Sequence, residues 1–331
     1  MKTPFLACRS RPVTGPGTID GFLKPFRADS PWNLPIASSA VFADEPAIRA
    51  GGGIVNSETW SDRIHHARST DPIVTCTGGN LGTFTLRVGK GITSSNGMDG
   101  DLTVIGPDGH TAWDFYKFIR TSETTATYVT CRNGALTDVV GGTGWGSGGT
   151  FAGVAAAGCA FFGGIIRTWE LMNPGNDRIR HALQCSIHIL QLKKATTKEG
   201  TWQWPAITAD GSWATYSGSI KIGALFAIPP DVDINSLGLA SPEALALAWT
   251  MQNFGIYVVN KGGSTFPTCI ICCETETPAA PLARLRAGWP TIVNQLRLVT
   301  NSAQATPAGK TSSGIYPPAL YPAPTPIPYP L

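Results

Sequence analysis

Short runs of alternating apolar and polar residues, each closed by a turn signal, dominate residues 31–140 of this chain. Phe84–Val88 alternates, Leu102–Ile105 ends at Gly106-Pro107-Asp108-Gly109, and Thr111–Phe118 alternates again. A period of two is typical of strands, and Gly, Pro and Asp at the junctions favour tight turns. Strands recurring about every 8–12 residues indicate a sandwich or barrel. We predict a mainly β protein, an antiparallel β-sandwich or jelly roll with one or two helices.

Two segments favour a helix. Ser241–Phe254 combines an N-cap serine, a proline in the first turn and a closing glycine at position 255. A second helix is predicted from about Pro290 to Val299. Residues 179–192 and 218–228 are expected to be long strands.

The composition excludes some classes of protein. Only 14% of the 331 residues are charged and the formal net charge is +3, which is too weak to indicate nucleic-acid binding. No apolar run reaches 18 residues, so no membrane-spanning segment is expected. We therefore expect neither nucleic acid nor a membrane as a partner.

The two ends of the chain differ from its centre. Residues 1–30 are rich in Pro and Gly, and their apolar run Phe5–Cys8 is too short for a cleavable secretory signal. Residues 304–331 contain seven prolines among the last 17 residues, which favours an extended chain. We predict an N-terminal arm (1–30), a β-rich domain (31–303) and a proline-rich tail (304–331). The arm and tail are expected to dock on further copies of the chain or on other virion subunits.

The cysteines form one cluster, Cys269-x-x-Cys272-Cys273, and a structural zinc site would need a second pair at similar spacing. We therefore predict no metal and no other cofactor. Isolated cysteines such as Cys159 and Cys185 are expected to be buried and apolar in character. The sequence does not decide whether Cys76 and Cys131 form a disulfide.

Residues 141–164 are rich in Gly and Ala. They fit either a tight loop followed by a closely packed segment or a backbone that approaches a ligand.

Five polar residues stand where packing explains them poorly, and they are candidate catalytic residues: Asp101, Asp114, Arg167, Glu170 and His181. Carboxyl groups with an arginine and a histidine could serve proton abstraction or glycosidic cleavage. A structural alternative remains, in which Arg167 and Glu170 form a local ion pair and His181 is a core histidine. His65-His66 is set aside, because neighbours on a strand point to opposite faces.

Tryptophans suggest a second function, since indole faces can stack on sugars. The candidate glycan-binding residues are Trp113, Trp145, Trp202 and Trp204. Core packing is the alternative for each of them.

A series of motifs resembles a family of largely uncharacterised bacterial proteins, many of them secreted. They are, in chain order, Asp29-Ser-Pro-Trp-Asn-x-Pro-Ile36, Asp99-x-Asp101-Leu-Thr-Val-Ile105, Trp113-Asp-Phe115, Ala155-Ala-Ala-Gly158 with Gly164-Ile-Ile-Arg-x-x-Glu170, Ile179-x-His-Ala-Leu183, Trp204-Pro-Ala206 and Phe254–Val259. The resemblance covers about residues 26–265 and implies a β-rich, secreted or surface-acting domain with a glycan-related role. Asp101 stands where the family pattern has histidine.

We expect a host-engaging structural protein of a virion or surface assembly, associated with a phage tail or appendage. Its expected location is virion or extracellular, and its expected ligand is cell-surface polysaccharide. The alternative is a polysaccharide-degrading lyase or glycosidase that uses the five polar candidates. A third hypothesis is a structural protein with an inactivated site, which the aspartate at position 101 favours.

Overall fold

The computed structural model describes residues 25–95, 99–132, 137–171, 179–263 and 265–310. This part of the chain is mainly β, with two α-helices and several single-turn 3-10 helices. The strands, in chain order, are β1 (Phe42–Ala43), β2 (Gly53–Asn56), β3 (Arg63–His66), β4 (Ile73–Gly78), β5 (Gly82–Arg87), β6 (Leu102–Ile105), β7 (Ala112–Tyr116), β8 (Ile119–Arg120), β9 (Thr125–Tyr128), β10 (Thr130–Arg132), β11 (Leu183–Ile187), β12 (Leu225–Ala227), β13 (Ile256–Lys261), β14 (Cys269–Cys272) and β15 (Arg297–Val299).

The largest sheet has seven strands in the order β1-β15-β12-β13-β11-β14-β2. Strands β11 and β13 run parallel, as do β14 and β2, while the other pairs are antiparallel. Strand β14 and the first four residues of β13 are continuous apolar runs, as expected for strands that are covered on both faces. This sheet carries the main hydrophobic core.

Two four-stranded sheets, β10-β7-β6-β3 and β5-β4-β9-β8, form the second part of the fold. Alternate side chains of both sheets meet in a smaller core that includes Val74, Val104 and Phe115. The opposite face of the β10-β7-β6-β3 sheet meets the main core through Ile64, Ile105 and Ala112, as the period of two requires.

The prediction of a mainly β chain with one or two helices is confirmed, whereas the antiparallel jelly-roll sandwich is not. All three sheets are mixed, with further parallel pairs at β3–β6 and β4–β9, and none of them closes. Parallel neighbours need crossover connections instead of hairpins. The local alternation of residues predicts strands but does not report which strands become neighbours.

The first predicted helix is confirmed as α1 (Pro242–Asn253). The Ser241 hydroxyl accepts the N–H of Ala244 at 3.2 Å, which satisfies one of the free donors of the first turn. Gly255 follows in the left-handed region, with φ of 73°.

The second predicted helix was wrong in position. The chain forms α2 (Ala279–Val293), and residues 297–299 belong to β15. Pro290 lies inside this helix and does not begin it. The helix extends further towards its N-terminus because Leu282, Leu285 and Trp289 repeat at helical spacing and are buried. The predicted strands over 179–192 and 218–228 are likewise shorter, and only β11 and β12 are regular there.

The described ends of the predicted arm and tail pack on the domain. Phe26 is buried, and the Asn33 amide donates to the carbonyls of residues 25–27 at 2.9–3.2 Å. Ala308 is buried as well, and its carbonyl accepts the N–H of Ala37 at 3.0 Å. The remaining arm and tail, 1–24 and 311–331, lie outside the described residues, and so does their predicted docking on other subunits.

The seven cysteines in the described segments are all buried free thiols. The disulfide considered between Cys76 and Cys131 is therefore not formed. Burial raises the pKa of the Cys76 thiol to about 12, so it stays protonated. Neither described helix is long and apolar enough to span a bilayer.

Candidate functional site

A cleft of about 530 Å³ lies where the β10-β7-β6-β3 sheet meets the carboxyl ends of the parallel strands β11 and β13. The carboxyl ends of parallel strands are common positions for ligand sites. Aromatic, acidic, basic and amide side chains line it together: Trp60, Asp99, Asp101, Tyr116, Thr130, Arg132, Phe151, Phe161, Ser186, Lys198, Thr208, Asp210, Asn260 and Lys261.

The β10-β7-β6-β3 sheet forms one wall of this cleft, and its register determines which side chains are neighbours there. Thr103 pairs with Asp114 on the neighbouring strand, and Asp114 pairs in turn with Arg132 on β10. Because side chains alternate between faces, Asp101 shares the face of Thr103, and Tyr116 shares the face of Asp114. This face is apolar where it meets the main core and polar where it reaches the cleft.

Three carboxyl groups lie at the polar end of that face. The Thr103 hydroxyl donates to Asp62 and lies 3.5 Å from Asp114 Oδ1. Asp114 Oδ2 accepts the backbone N–H groups of Phe161 at 2.8 Å and of Val154 at 3.2 Å. These donors hold the loop 151–161 against the sheet and supply part of the solvation that burial removes.

Burial shifts these carboxyl groups towards their neutral form. It raises the pKa of Asp114 to about 6, although the two backbone N–H groups oppose the shift. Burial also raises the pKa of Asp62 well above its ordinary value, and the charges of Asp114 and Asp101 add to the effect. Like charges this close together cannot all ionise without a large free-energy cost.

Asp101 is the member of this group that reaches the cleft. Its side chain is only 4% exposed, yet it lines the cavity. Among the described residues, none donates a hydrogen bond to its carboxyl group, and its backbone N–H bonds to Ser95. Burial, followed by the charges of Asp114 and Asp99, raises its pKa well above the ordinary value. A neutral carboxyl group facing a cleft is a proton donor.

Two further acids lie in the same cleft. Burial raises the pKa of Asp99, Lys117 opposes the shift, and the charge of Asp210 adds to it. Asp210 accepts the N–H and the hydroxyl of Ser212 at 2.9 and 2.8 Å. Both carboxyl groups therefore face the same cavity.

The opposite wall is formed by β11, β13 and the loops beside them. Asn260 and Lys261 end β13, and the Asn260 side-chain oxygen accepts the N–H of Ala156 at 2.5 Å. Gly263 follows, and a Cβ there would lie 2.7 Å from the Trp60 ring. Any larger residue at this position would therefore displace the indole.

The remaining sequence candidates form a second group outside the cleft. Arg167 Nη1 lies 2.9 Å from His181 Nε2, and Glu170 lies 3.2 Å from the same nitrogen. All three residues are at least 95% buried. The structure therefore brings Arg167, Glu170 and His181 together, and places Asp101 and Asp114 elsewhere.

Hydrogen bonds explain this second group as a structural element. His181 Nδ1 lies 2.9 Å from the Ala182 carbonyl and donates to it, while Nε2 lies between Arg167 Nη1 and the Glu170 carboxylate. Arg167 also donates to the Phe162 carbonyl at 3.2 Å. Burial alone would raise the pKa of Glu170, but His181 and Arg167 outweigh it and hold the pKa below its ordinary value.

The four tryptophans named from the sequence do not line the cleft. Trp145 is buried and stacks on Trp32 with ring centroids 4.6 Å apart, so neither face is free for a sugar. Trp113 packs against the smaller core, and Trp202 against the main core. Trp204 is half-buried and precedes Pro205 through a cis peptide bond.

Sequence reasoning missed Trp60, Asp210, Asn260 and Lys261 as cleft residues. They come from three separate segments, and no spacing rule joins them. One signal was present in the Gly-rich stretch 141–164, where a Cβ at Gly153 would lie 2.5 Å from Asp114 Oδ2. In that stretch the backbone approaches a buried carboxylate and also lines the cleft.

Comparison with protein-family models, with curated proteins and with solved structures gives no match for this chain. Within the described segments, no three His, Cys, Asp or Glu residues are placed to hold a metal ion. Function is therefore inferred from the cleft itself.

Proposed function

We propose that the cleft binds a short stretch of a cell-surface polysaccharide. The observation that carries the proposal is the combination of Trp60, Tyr116 and Phe151 with Asp99, Asp210 and Asn260 in one open cavity. Aromatic rings offer apolar faces to a sugar ring, while carboxyl and amide groups bond its hydroxyls. At about 530 Å³ the cavity lies within the usual range of small-ligand sites, roughly 300–1,000 Å³.

The wider proposal is that the chain engages host glycans as a component of a virion or other surface assembly. It is supported by the low content of charged residues and by the proline-rich sequence of residues 304–331, which favours an extended chain suited to contacts with neighbouring subunits. Electron microscopy of purified particles after labelling with an antibody against this chain tests it. Labelled particles would support the proposal, and a chain found only free of any particle would contradict it.

The binding proposal is tested with the purified full chain on an array of bacterial surface glycans. We expect binding to a small set of polysaccharides, and loss of that binding in Trp60→Ala. Trp204→Ala is the matched control, because it removes a half-buried indole outside the cleft. Absence of glycan binding by the folded wild type would overturn the proposal, as would equal binding by Trp60→Ala.

A second candidate function, glycoside hydrolysis, is favoured by Asp101 alone. Its neutral carboxyl could deliver a proton to the glycosidic oxygen as the bond from that oxygen to the anomeric carbon breaks. Water would then add to the anomeric carbon and lose its proton to the carboxylate of Asp210, which also lines the cleft. New reducing ends from a bound polysaccharide, absent with Asp101→Asn, would establish this activity; intact polysaccharide would leave the cleft as a binding site.

A further inference from the structure

Three basic side chains surround the cleft from different sides. Arg132 ends β10 on one wall, Lys261 ends β13 on the other, and Lys198 begins the 3-10 turn Lys198–Thr201 beside them. Across the described ranges of the chain, no carboxylate lies within ion-pair distance of any of the three.

Arg132 is held in place but has unused donors. Its guanidinium lies 4.7 Å from the centroid of the Phe151 ring, which fixes its position by a cation–π contact. Its Nε atom is buried and has no hydrogen-bond partner. A buried donor without an acceptor costs free energy that a suitable ligand atom recovers.

The acids of the cleft form no ion pair with these cations among the described residues. Asp210 is instead directed at the N–H and hydroxyl of Ser212, and burial raises the pKa of Asp101 well above its ordinary value. Asp114 lies opposite Arg132 in the sheet and acts on it electrostatically, but both of its oxygens lie near donors on the protein side. The cleft therefore presents three cations that have no ion pair among the described residues, and one of them carries a buried donor without an acceptor.

We propose that the glycan bound in this cleft is acidic, and that Arg132 and Lys261 hold its anionic groups from opposite walls. This inference rests on the proposed glycan binding and names the class of sugar. Guanidinium and ammonium groups form charge-assisted hydrogen bonds with both carboxylate and sulfate oxygens. Uronic acids and sulfated sugars share this chemistry, so they are separate arms of the test.

The test compares three oligosaccharides of equal length by titration calorimetry: an oligogalacturonate, its carboxyl-reduced neutral counterpart, and a sulfated galactan oligomer. The glycan array supplies any further acidic and neutral ligands. We expect the acidic ligands to bind at least tenfold more tightly than neutral ones, with a preference that weakens as salt is added. Whichever of the carboxylate and sulfate ligands gains more affinity over the neutral oligosaccharide identifies the anion that the cleft prefers.

Arg132→Gln and Lys261→Gln should each reduce this preference at least threefold, while Lys90→Gln, an exposed lysine away from the cleft, leaves it unchanged. If Arg132→Gln fails to fold, as judged by circular dichroism, the preference measured with Lys261→Gln alone tests the inference. Neutral glycans binding as tightly as acidic ones would overturn this inference and leave the proposed function intact. Binding to no glycan on the array would overturn both.

Discussion

The backbone N–H of Phe161 donates to Asp114 at 2.8 Å, and the carbonyl of the next residue, Phe162, accepts from Arg167 at 3.2 Å. One 3-10 turn, Phe161–Gly164, therefore connects the acidic wall of the cleft to the buried Arg167–Glu170–His181 group. The two groups have separate surroundings, and they should respond differently to mutation and pH.

The buried acids predict that the protein loses stability as the pH rises from acid towards neutral. Carboxyl groups with raised pKa values hold more protons in the folded chain than in the unfolded chain. The free energy of unfolding therefore falls with rising pH, for Asp114 between its ordinary value of 3.8 and about 6. Asp62→Asn should flatten this fall, because it removes a carboxyl group whose pKa burial raises well above its ordinary value.

Urea unfolding at several pH values between 4 and 7 measures this effect. Asp231→Asn is the control, since Asp231 is exposed and has no ionic partner among the described residues. An unchanged pH dependence in Asp62→Asn would contradict the raised pKa of Asp62.

The Arg167–Glu170–His181 group predicts a loss of stability without a direct loss of ligand binding. Arg167→Met leaves Glu170 buried without its counter-charge, which should cost about 3–5 kcal/mol in the free energy of unfolding. The lowered pKa of Glu170 means that its stabilising effect is present above its ordinary value of 4.5 and is lost as the pH falls through the folded value.

Chemical denaturation of Arg167→Met, Glu170→Gln and the double variant tests this group, and the double variant should lose less than the sum of the single losses. Arg27→Gln, which removes an exposed ion pair with Asp29, should change little. His181→Ala that stays folded and loses glycan binding without altered stability would point to a functional role instead.

Gly153 predicts a steric effect at the wall of the cleft. A Cβ there would lie 2.3 Å from the Ala160 Cα and 2.5 Å from Asp114 Oδ2. The first is a backbone atom and the second belongs to a buried side chain, so neither can move away easily. Gly153→Ala should therefore lower the free energy of unfolding by about 1–3 kcal/mol. Gly211→Ala is the matched control, because Gly211 also lines the cleft but has no heavy atom within 4 Å of an added Cβ. Equal stability of the two variants would contradict the close approach.

Asp101 predicts the pH profile of any hydrolysis. A general acid works only while protonated, so the rate should fall as the pH rises through the raised pKa of Asp101. Asp101→Asn should lower the rate by roughly 10²–10⁴-fold and keep glycan affinity within a few fold. Measurement of reducing ends against pH, with affinity measured separately, distinguishes these effects. A rate that Asp101→Asn leaves unchanged would remove Asp101 from the chemistry.

The local structure was predictable from the sequence where short-range rules decide it. Strand β6 with its Gly106–Gly109 turn, and helix α1 with its Ser241 cap, appear where spacing and capping predict them. The pairing of β11 with β13 was not predictable, because the partners are more than 70 residues apart in the chain and the apolar runs carry no register information.

The candidate site was predictable only in part, for the same reason. Asp101 and Asp114 stand out as charges among apolar strand residues, and both belong to the acidic wall. His181 and Arg167 stand out by the same criterion, yet they contact each other in the core, outside the cleft. Burial of a polar residue is visible from the sequence pattern, whereas access to a cavity depends on how the sheets pack.

The cleft lies between two sheets, since the β10-β7-β6-β3 sheet forms one wall and the ends of β11 and β13 in the seven-stranded sheet form the other. A sugar chain bound there would contact both walls and hold the two sheets together. By mass action, saturation with such a molecule raises the melting temperature of the whole chain. Thermal shift would then report occupancy directly, even for a ligand that is bound and never altered.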